Sequence, residues 1–325
     1  MKRFLKYFSG IFLLLIIAFT VFFFWASSPN LHEKEYDKLM VTPYESTTDI
    51  DSIFSIVTYN IGYLSGMTNN LAIAKPKELF DENLQKVLHN TKALNPDIIA
   101  FQEIDYKASR SYNVNQQNEI AKLGYNFVAK AVNWDETYVP FPYWPPTMHF
   151  GKVISGQSIL SKYPLSAHQR IVLERVPEAP FYRDALYLER LAQVVKVDLN
   201  GKEVVLINVH LEAFDKQTRG RQFEEVLDIF NRYKEQYPTI LLGDFNSRAR
   251  DEEAIIQKLF AMNDVGSAAF NSVDPSNTFN SKDPFERIDY IFYTKNSIAY
   301  IDGKVCIEFG QASDHLPLEM RFRLQ

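Results

Sequence analysis

Six places in the sequence put residues able to handle protons, cations or phosphate at the border of an apolar run. One of them is TILLGDFNSRAR (239–250), where Asp244 and Asn246 stand two positions apart behind Gly243. In an extended chain successive side chains alternate faces, so Asp244 and Asn246 would share one concave edge while Phe245 turns toward the core. An Asx turn capping the strand is the plainer explanation of the same residues. The other five places decide between the two. Asn60 ends FSIVTYN, Glu103 ends DIIAFQE, and His210 and Glu212 end EVVLINVHLE. Asp289 lies near the start of RIDYIFYT, and Ser313-Asp314-His315 precedes LPLEMRFRL. So many such groups bordering apolar strands imply one pocket at one edge of the sheets. The set holds acids, two imidazoles and two carboxamides, with no serine nucleophile elbow, Gly-rich phosphate loop or zinc helix motif.

The elements that must position these groups are short β-branched and aromatic runs: 54–60, 97–103, 157–163, 191–199, 203–212, 239–246, 287–294 and 316–324. Helical periodicity falls between them. Residues 78–94 place Leu79, Phe80, Leu84, Val87, Leu88 and Leu94 on one face, and 219–233 do so with Phe223, Val226, Leu227 and Phe230. Asn200-Gly201 between two runs predicts a tight hairpin. Together these patterns predict mixed sheets with covering helices.

Composition narrows the class. The 325 residues are 46% hydrophobic and 23% charged, enough apolar material for a large core. A net charge of −5 is the wrong sign for a protein that must neutralise many phosphates, although a local basic groove is compatible with it. The single cysteine, Cys306, excludes an internal disulfide and a multi-cysteine metal site.

The N-terminus is a different material. Lys2, Arg3 and Lys6 precede a run from Tyr7 to Ala26 without a charged side chain. As a helix that run spans about 30 Å, the thickness of a bilayer's hydrocarbon core. The basic flank predicts a cytoplasmic stub (1–6), a transmembrane signal anchor (7–26) and everything later on the extracytoplasmic side. A cleaved signal peptide is the competing reading; Ala26, Ser27 and Ser28 offer it only a mediocre cleavage site. Residues 27–51 are polar, with two prolines and no sustained period, and predict a tether or loosely docked linker. Residues 52–325 then make one catalytic domain.

TYNIG, AFQEID, INVHLE, LLGDFNS, RIDYIF and ASDHLPL, in that order over residues 54–318, resemble the signature series of the endonuclease/exonuclease/phosphatase superfamily. That superfamily includes deoxyribonucleases, apurinic-site endonucleases, inositol polyphosphate 5-phosphatases and neutral sphingomyelinases. The resemblance implies a four-layer α/β sandwich, two mixed β-sheets face to face with helices outside, here preceded by one transmembrane helix. It also implies divalent-metal-dependent cleavage of a phosphoester, without saying which.

The residue types suit that chemistry. A phosphodiester repels incoming hydroxide until a hard cation neutralises its oxygens and the departing alkoxide. Mg²⁺ or Mn²⁺ takes oxygen ligands, which makes Glu103 the first choice, with Asn60 nearby and Asp314 as a second carboxylate. By resemblance, Asp244 orients or deprotonates the attacking water, and Asn246 donates to the phosphate or holds that water. His315 then contacts the phosphate or acts as base, with Asp289 fixing its tautomer. His210 matches the family's second histidine, serving phosphate binding or leaving-group protonation, and Asn60, Asn246 and His210 form the substrate-binding set. His32, His89, His149 and His168 have no motif around them and default to structure or surface.

Substrate class rests on less. Residues 134–150, WDETYVPFPYWPPTMHF, are too broken for a helix and too aromatic for a solvated loop. They form either a loop packed on the domain or an amphipathic wall that meets a lipid surface. With the anchor and the acidic balance, the expectation is a sphingomyelinase-like phosphodiesterase acting on a membrane lipid headgroup. The alternatives are an exported nuclease, a phosphatase of soluble phosphate esters and, last, a non-catalytic binding module. Nucleic acid is the less favoured partner because no basic run that would grip a duplex is found. No obligate protein partner is evident.

Overall fold

In the computed structural model, which describes residues 2–46, 52–271, 273 and 276–325, thirteen strands make two sheets. They are β1 (Asp37–Val41), β2 (Phe54–Asn60), β3 (Ile98–Asp105), β4 (Phe127–Val139), β5 (Gly151–Ser161), β6 (Leu165–Val172) and β7 (Leu191–Leu199). The rest are β8 (Lys202–His210), β9 (Thr239–Asp244), β10 (Val265–Ser267), β11 (Asp289–Thr294), β12 (Ile298–Val305) and β13 (Leu318–Leu324). The helices are α1 (Lys2–Ala26), α2 (Lys77–Leu94), α3 (Gln116–Ala121), α4 (Phe181–Asp184), α5 (Lys216–Lys234) and α6 (Gln257–Phe260). One sheet runs β1-β4-β5-β3-β2-β13-β12 and the other β10-β11-β9-β8-β7-β6. Both are mixed, since β2–β3 and β8–β9 pair in parallel and their neighbours antiparallel.

The period of two along each strand sets the layers. In β9, Ile240 and Leu242 enter the space between the sheets, where they meet Ile56, Ile98 and Leu206. Leu241 points the other way and packs with Phe223, Val226 and Phe230 of α5. On the far face of the other sheet, Val57, Tyr59 and Ile99 meet Phe80, Leu84 and Val87 of α2. The result is the four-layer sandwich expected from the motifs. Burying each such Leu or Phe contributes about 1.5–3 kcal/mol before entropy is counted.

Local chemistry bounds the elements. Asp215 caps α5 by accepting the Thr218 N–H at 2.6 Å. Helix α2 ends where Asn95 turns left-handed (φ 50°) ahead of Pro96. Asn200 and Gly201, with φ 56° and 89°, close the β7–β8 hairpin.

Two regions differ from the sequence expectation. Within the segment expected to be a linker, Asp37–Val41 is the edge strand β1, paired with β4, and Asn30, Leu31 and Tyr36 all donate to Asp135. Its alternating half-burial becomes a strand only because the β4 edge is there to pair with. Residues 47–51 of that segment lie outside the described residues. Second, residues 134–139 of the aromatic stretch continue β4, so the loop begins only at residue 140. The apolar N-terminal run lies within α1, which is long and apolar enough over Arg3–Ala26 to cross a membrane.

Candidate active site

Strand register assembles half of the site. On β9, Asp244 stands directly beside His210 of β8 and Asp289 of β11. All three share the inward parity of Ile240, Leu206 and Ile291, so along three adjacent strands the inter-sheet layer passes from apolar to charged. Gly243 permits this: its φ is +136°, and a Cβ there would lie 2.0 Å from the Val209 carbonyl oxygen. Beneath the row, Gln102 Nε2 donates to Asn208 Oδ1 at 2.6 Å, and Asn208 Nδ2 to Gln193 Oε1 at 3.1 Å, linking the sheets by amides.

The opposing sheet supplies the rest. Asn60 ends β2 on the same inward parity as Ile56. Glu103 comes after Gln102 and would, by strict alternation, point outward into the α2 layer. It does not, because β3 carries an extra residue there: Phe101 pairs with Ser158 and Ile104 with Gly156, so three steps on one strand match two on the other. This bulge puts Glu103 at φ 51° and turns it into the cleft, while Ile104 resumes the outward apolar pattern. Asp314 and His315 arrive on the turn before β13, tied to β2 by the Ser313 hydroxyl, which donates to the Asn60 carbonyl at 2.8 Å.

Two charge groupings result. In the first, Asn60 Nδ2 donates to Asp244 Oδ2 at 2.9 Å, His315 Nδ1 lies 2.9 Å from Asp289 Oδ2, and His315 Nε2 lies 3.8 Å from Asp244 Oδ2. Ligand atoms of Asp244, Asp289 and His315 all fall within 4.8 Å of one another. Burial alone would lower the His315 imidazole, but the Asp289 and Asp244 carboxylates outweigh it and hold the ring well above its ordinary value. Burial, and then the Asp289 carboxylate, push Asp244 up. The imidazolium therefore sits between two acids and largely offsets their charge.

The second grouping is offset less directly, since His315 and Arg190 act on Glu103 from a distance and do not cancel the effect of burial and Asp314. Asn69 Nδ2 donates to Glu103 Oε2 at 2.9 Å and reaches Asp314 Oδ1 at 3.4 Å, so one amide serves both carboxylates. Asp314 also accepts from the Ser313 hydroxyl at 3.3 Å. Burial, and then the charge of Asp314, raise the Glu103 carboxyl. Two acids facing one shared donor, with the Asn60 amide close by, fit a hard divalent cation better than they fit each other.

His210 has a partner that the sequence did not announce. Arg190 Nη1 lies 2.6 Å from His210 Nε2, and Asp244 Oδ2 and Glu103 Oε1 lie 3.5 and 3.8 Å from the same nitrogen. Burial, then the Arg190 charge, hold His210 well below its ordinary value, so it is neutral. Arg190 is itself oriented by Glu212 and the Tyr187 hydroxyl. Neither Arg190 nor Asn69 stands in a motif; an arginine just ahead of a strand gives no signal until the fold buries it.

The cleft, about 580 Å³, is bordered by all the residues expected to do chemistry except Asp289, which sits behind His315. Asn246 reaches it differently from the extended alternation expected. The strand stops at Asp244, Asn246 takes φ 48°, its N–H donates to Asp244 Oδ1 at 2.9 Å, and its Nδ2 donates to the Leu211 carbonyl. The Asx turn and the site are thus one structure. His149 bonds Tyr138, His168 contacts Asp37, and neither they nor His32 and His89 line the cleft.

A two-sheet sandwich with acids, histidines and amides gathered at one strand edge defines a metal-dependent phosphoester hydrolase. The sequence profile of the Endonuclease/Exonuclease/phosphatase family matches residues 57–315, most of the chain, and the protein belongs to that family. An endonuclease/exonuclease/phosphatase from Beutenbergia cavernae is similar in structure, with TM-score 0.59 and 21% identity over 84% of this chain and 72% of that one. The human Nocturnin catalytic domain with bound sulfate superimposes with TM-score 0.58 and 18% identity, over 91% of this chain and 100% of its own. D. rerio TDP2 complexed with a single-strand DNA product gives TM-score 0.57 at 18% identity, over 84% and 100%. No curated protein sequence matches the chain.

Proposed function

We propose that this enzyme is a membrane-anchored, Mg²⁺-dependent phosphodiesterase that hydrolyses a lipid headgroup ester on the extracytoplasmic side. The observation that carries the reading is the cleft itself, in which the under-compensated pair Glu103 and Asp314 faces the Asp244, Asp289 and His315 row across Asn60. Held by Glu103, Asp314 and Asn60, a divalent cation would neutralise the phosphoryl oxygens and the departing alkoxide.

The chain's own groups do the rest. Asp244, raised toward neutrality and fixed by Asn60 and the Asn246 N–H, orients the attacking water and takes its proton. His315, kept charged by Asp289, donates to a phosphoryl oxygen rather than acting as base. Arg190, steered by His210, offers a second cationic contact, and Asn246 closes the phosphate site. Trp134, Leu188 and Phe214 supply an apolar wall on the same cleft, suited to a lipid ester.

One observation favours a second reading. Lys216, Arg219 and Arg248 stand on the cleft rim, where they could track a polynucleotide backbone. The two readings separate when the full-length protein, in mixed micelles with Mg²⁺, is offered sphingomyelin or phospholipid and, separately, DNA. Release of a phosphorylated headgroup is the expected result. Rapid DNA degradation with no headgroup released overturns the lipid reading in favour of an exported nuclease.

A further inference from the structure

The catalytic reading leaves a second group of aromatic residues unused, and it surrounds the end of α1. The helix does not swing free of the domain. Phe22 and Trp25 pack on Tyr138 of β4, with ring centroids 5.9 and 5.8 Å away, and Phe23 packs on Phe181 of α4 at 5.5 Å. Ala26 is fully buried. The Thr137 N–H donates to the Ser28 carbonyl at 3.0 Å and the Thr137 hydroxyl to the same oxygen at 2.9 Å. The chain then enters the Asp135 contacts without slack.

Around this junction the domain exposes large rings. Trp144 is 79% exposed, Tyr143 and Phe181 each 68%, and Tyr182 47%. They are not on loose chain. His149 bonds the Tyr138 hydroxyl through Nδ1 at 2.7 Å and lies 3.4 Å from the Tyr143 carbonyl through Nε2, which pins the 140–150 loop to β4. Amphipathic rings beside the end of a membrane-spanning helix lie at headgroup depth, where Trp and Tyr are favoured.

We infer that Tyr143, Trp144, Phe181 and Tyr182 form a collar seated in the headgroup region of the bilayer that holds α1, so that the cleft is fixed at the membrane surface in one orientation. This rests on the reading of α1 as an anchor. The collar and the cleft draw on neighbouring stretches of chain. Trp134, on the cleft, stands four positions before Tyr138 on one strand, about 13 Å at the usual rise. Tyr187 and Leu188, also on the cleft, come directly after α4. A lipid ester would thus meet the cleft from the side, whereas a flexible tether would present it at every angle.

The test uses the full-length protein in liposomes. Cys306 is buried and leaves an introduced cysteine as the labelling site. Trp144→Cys and Tyr182→Cys each receive an environment-sensitive fluorophore, and Asp302→Cys, on β12 at the opposite edge of the sheet, is the reference. Flotation with the vesicles is measured first. With nitroxide-bearing lipids, the labels at 144 and 182 are expected to lose most of their emission while the label at 302 keeps its own. Flotation with all three labels equally bright overturns the collar and leaves the anchor standing. Failure to float overturns the anchor and the collar together.

Discussion

The acid beside the end of α1 and the paired acids of the cleft are treated differently. Just after α1 the chain meets Asp135, which accepts from the Asn30 N–H, the Asn30 amide, the Leu31 N–H and the Tyr36 hydroxyl, all at 2.8–3.0 Å. Its charge is fully met by donors of the chain, and its work is to clamp residues 30–36 onto β4. In the cleft, Glu103 and Asp314 share the Asn69 amide, with one hydroxyl besides. Leaving a desolvated charge unpaired costs several kcal/mol. Burial alone therefore does not mark a functional acid. The supply of donors separates the two places, and it is the smaller at Glu103 and Asp314.

The catalytic side of this contrast is expected to give the largest response. Asp244→Asn and His315→Ala should each lower turnover by about 10²–10⁴-fold, the range for losing a proton-transfer group in the first case and a charged phosphate contact in the second, with the fold intact. Since the two lie in one hydrogen-bonded row, the double variant should be little worse than either single one. Multiplied losses, measured as kcat on a soluble phosphodiester, would show that they act on separate steps.

The smallest effect belongs to Glu136, beside Asp135, whose Oε2 has no hydrogen-bond partner among the described residues. Burial, and then the Asp135 charge, push its carboxyl up to about 8. The folded state thus binds a proton that the unfolded state has released, so stability is lost as pH rises from about 4.5 to about 8. Glu136→Gln stays neutral throughout. Its melting temperature should match the wild type near pH 5 and exceed it by a few degrees at pH 9, of order 2–4 °C per kcal/mol. An equal offset at both values would remove Glu136 as the cause. Glu136, short of donors beside Asp135, thus escapes by taking a proton.

The residues of the cleft were easier to find in the sequence than the geometry that gathers them. Asn60, Glu103, His210, Asp244 and His315 were visible as polar residues bordering apolar runs within the motif series, and they line one cleft. The inward turn of Glu103 was hidden, since it depends on one inserted residue that appears only when β3 is paired with β5. Arg190 was hidden because its charge matters only once the pairing of β7 with β8 brings the residue just ahead of β7 beside His210. Strand β1 escaped because five alternating residues have no preference for a sheet until an edge is offered. Mixed sheets with covering helices were legible because the period of two and the helical stripes arise from burial alone, whereas their stacking into four layers was implied only by the motif resemblance.

Whether a divalent cation meets the charge of Glu103 and Asp314 is read from hydrolysis of a small chromogenic phosphodiester by the full-length protein in nanodiscs, wild type and Glu103→Gln, in chelator and after Mg²⁺ is restored. Wild-type activity is expected to vanish in chelator and return with Mg²⁺. The variant, with unchanged melting temperature, should be lower by about three orders of magnitude, the scale of losing one preorganised electrostatic contact. Full activity in excess chelator, or an undiminished Glu103→Gln enzyme, would contradict the assignment.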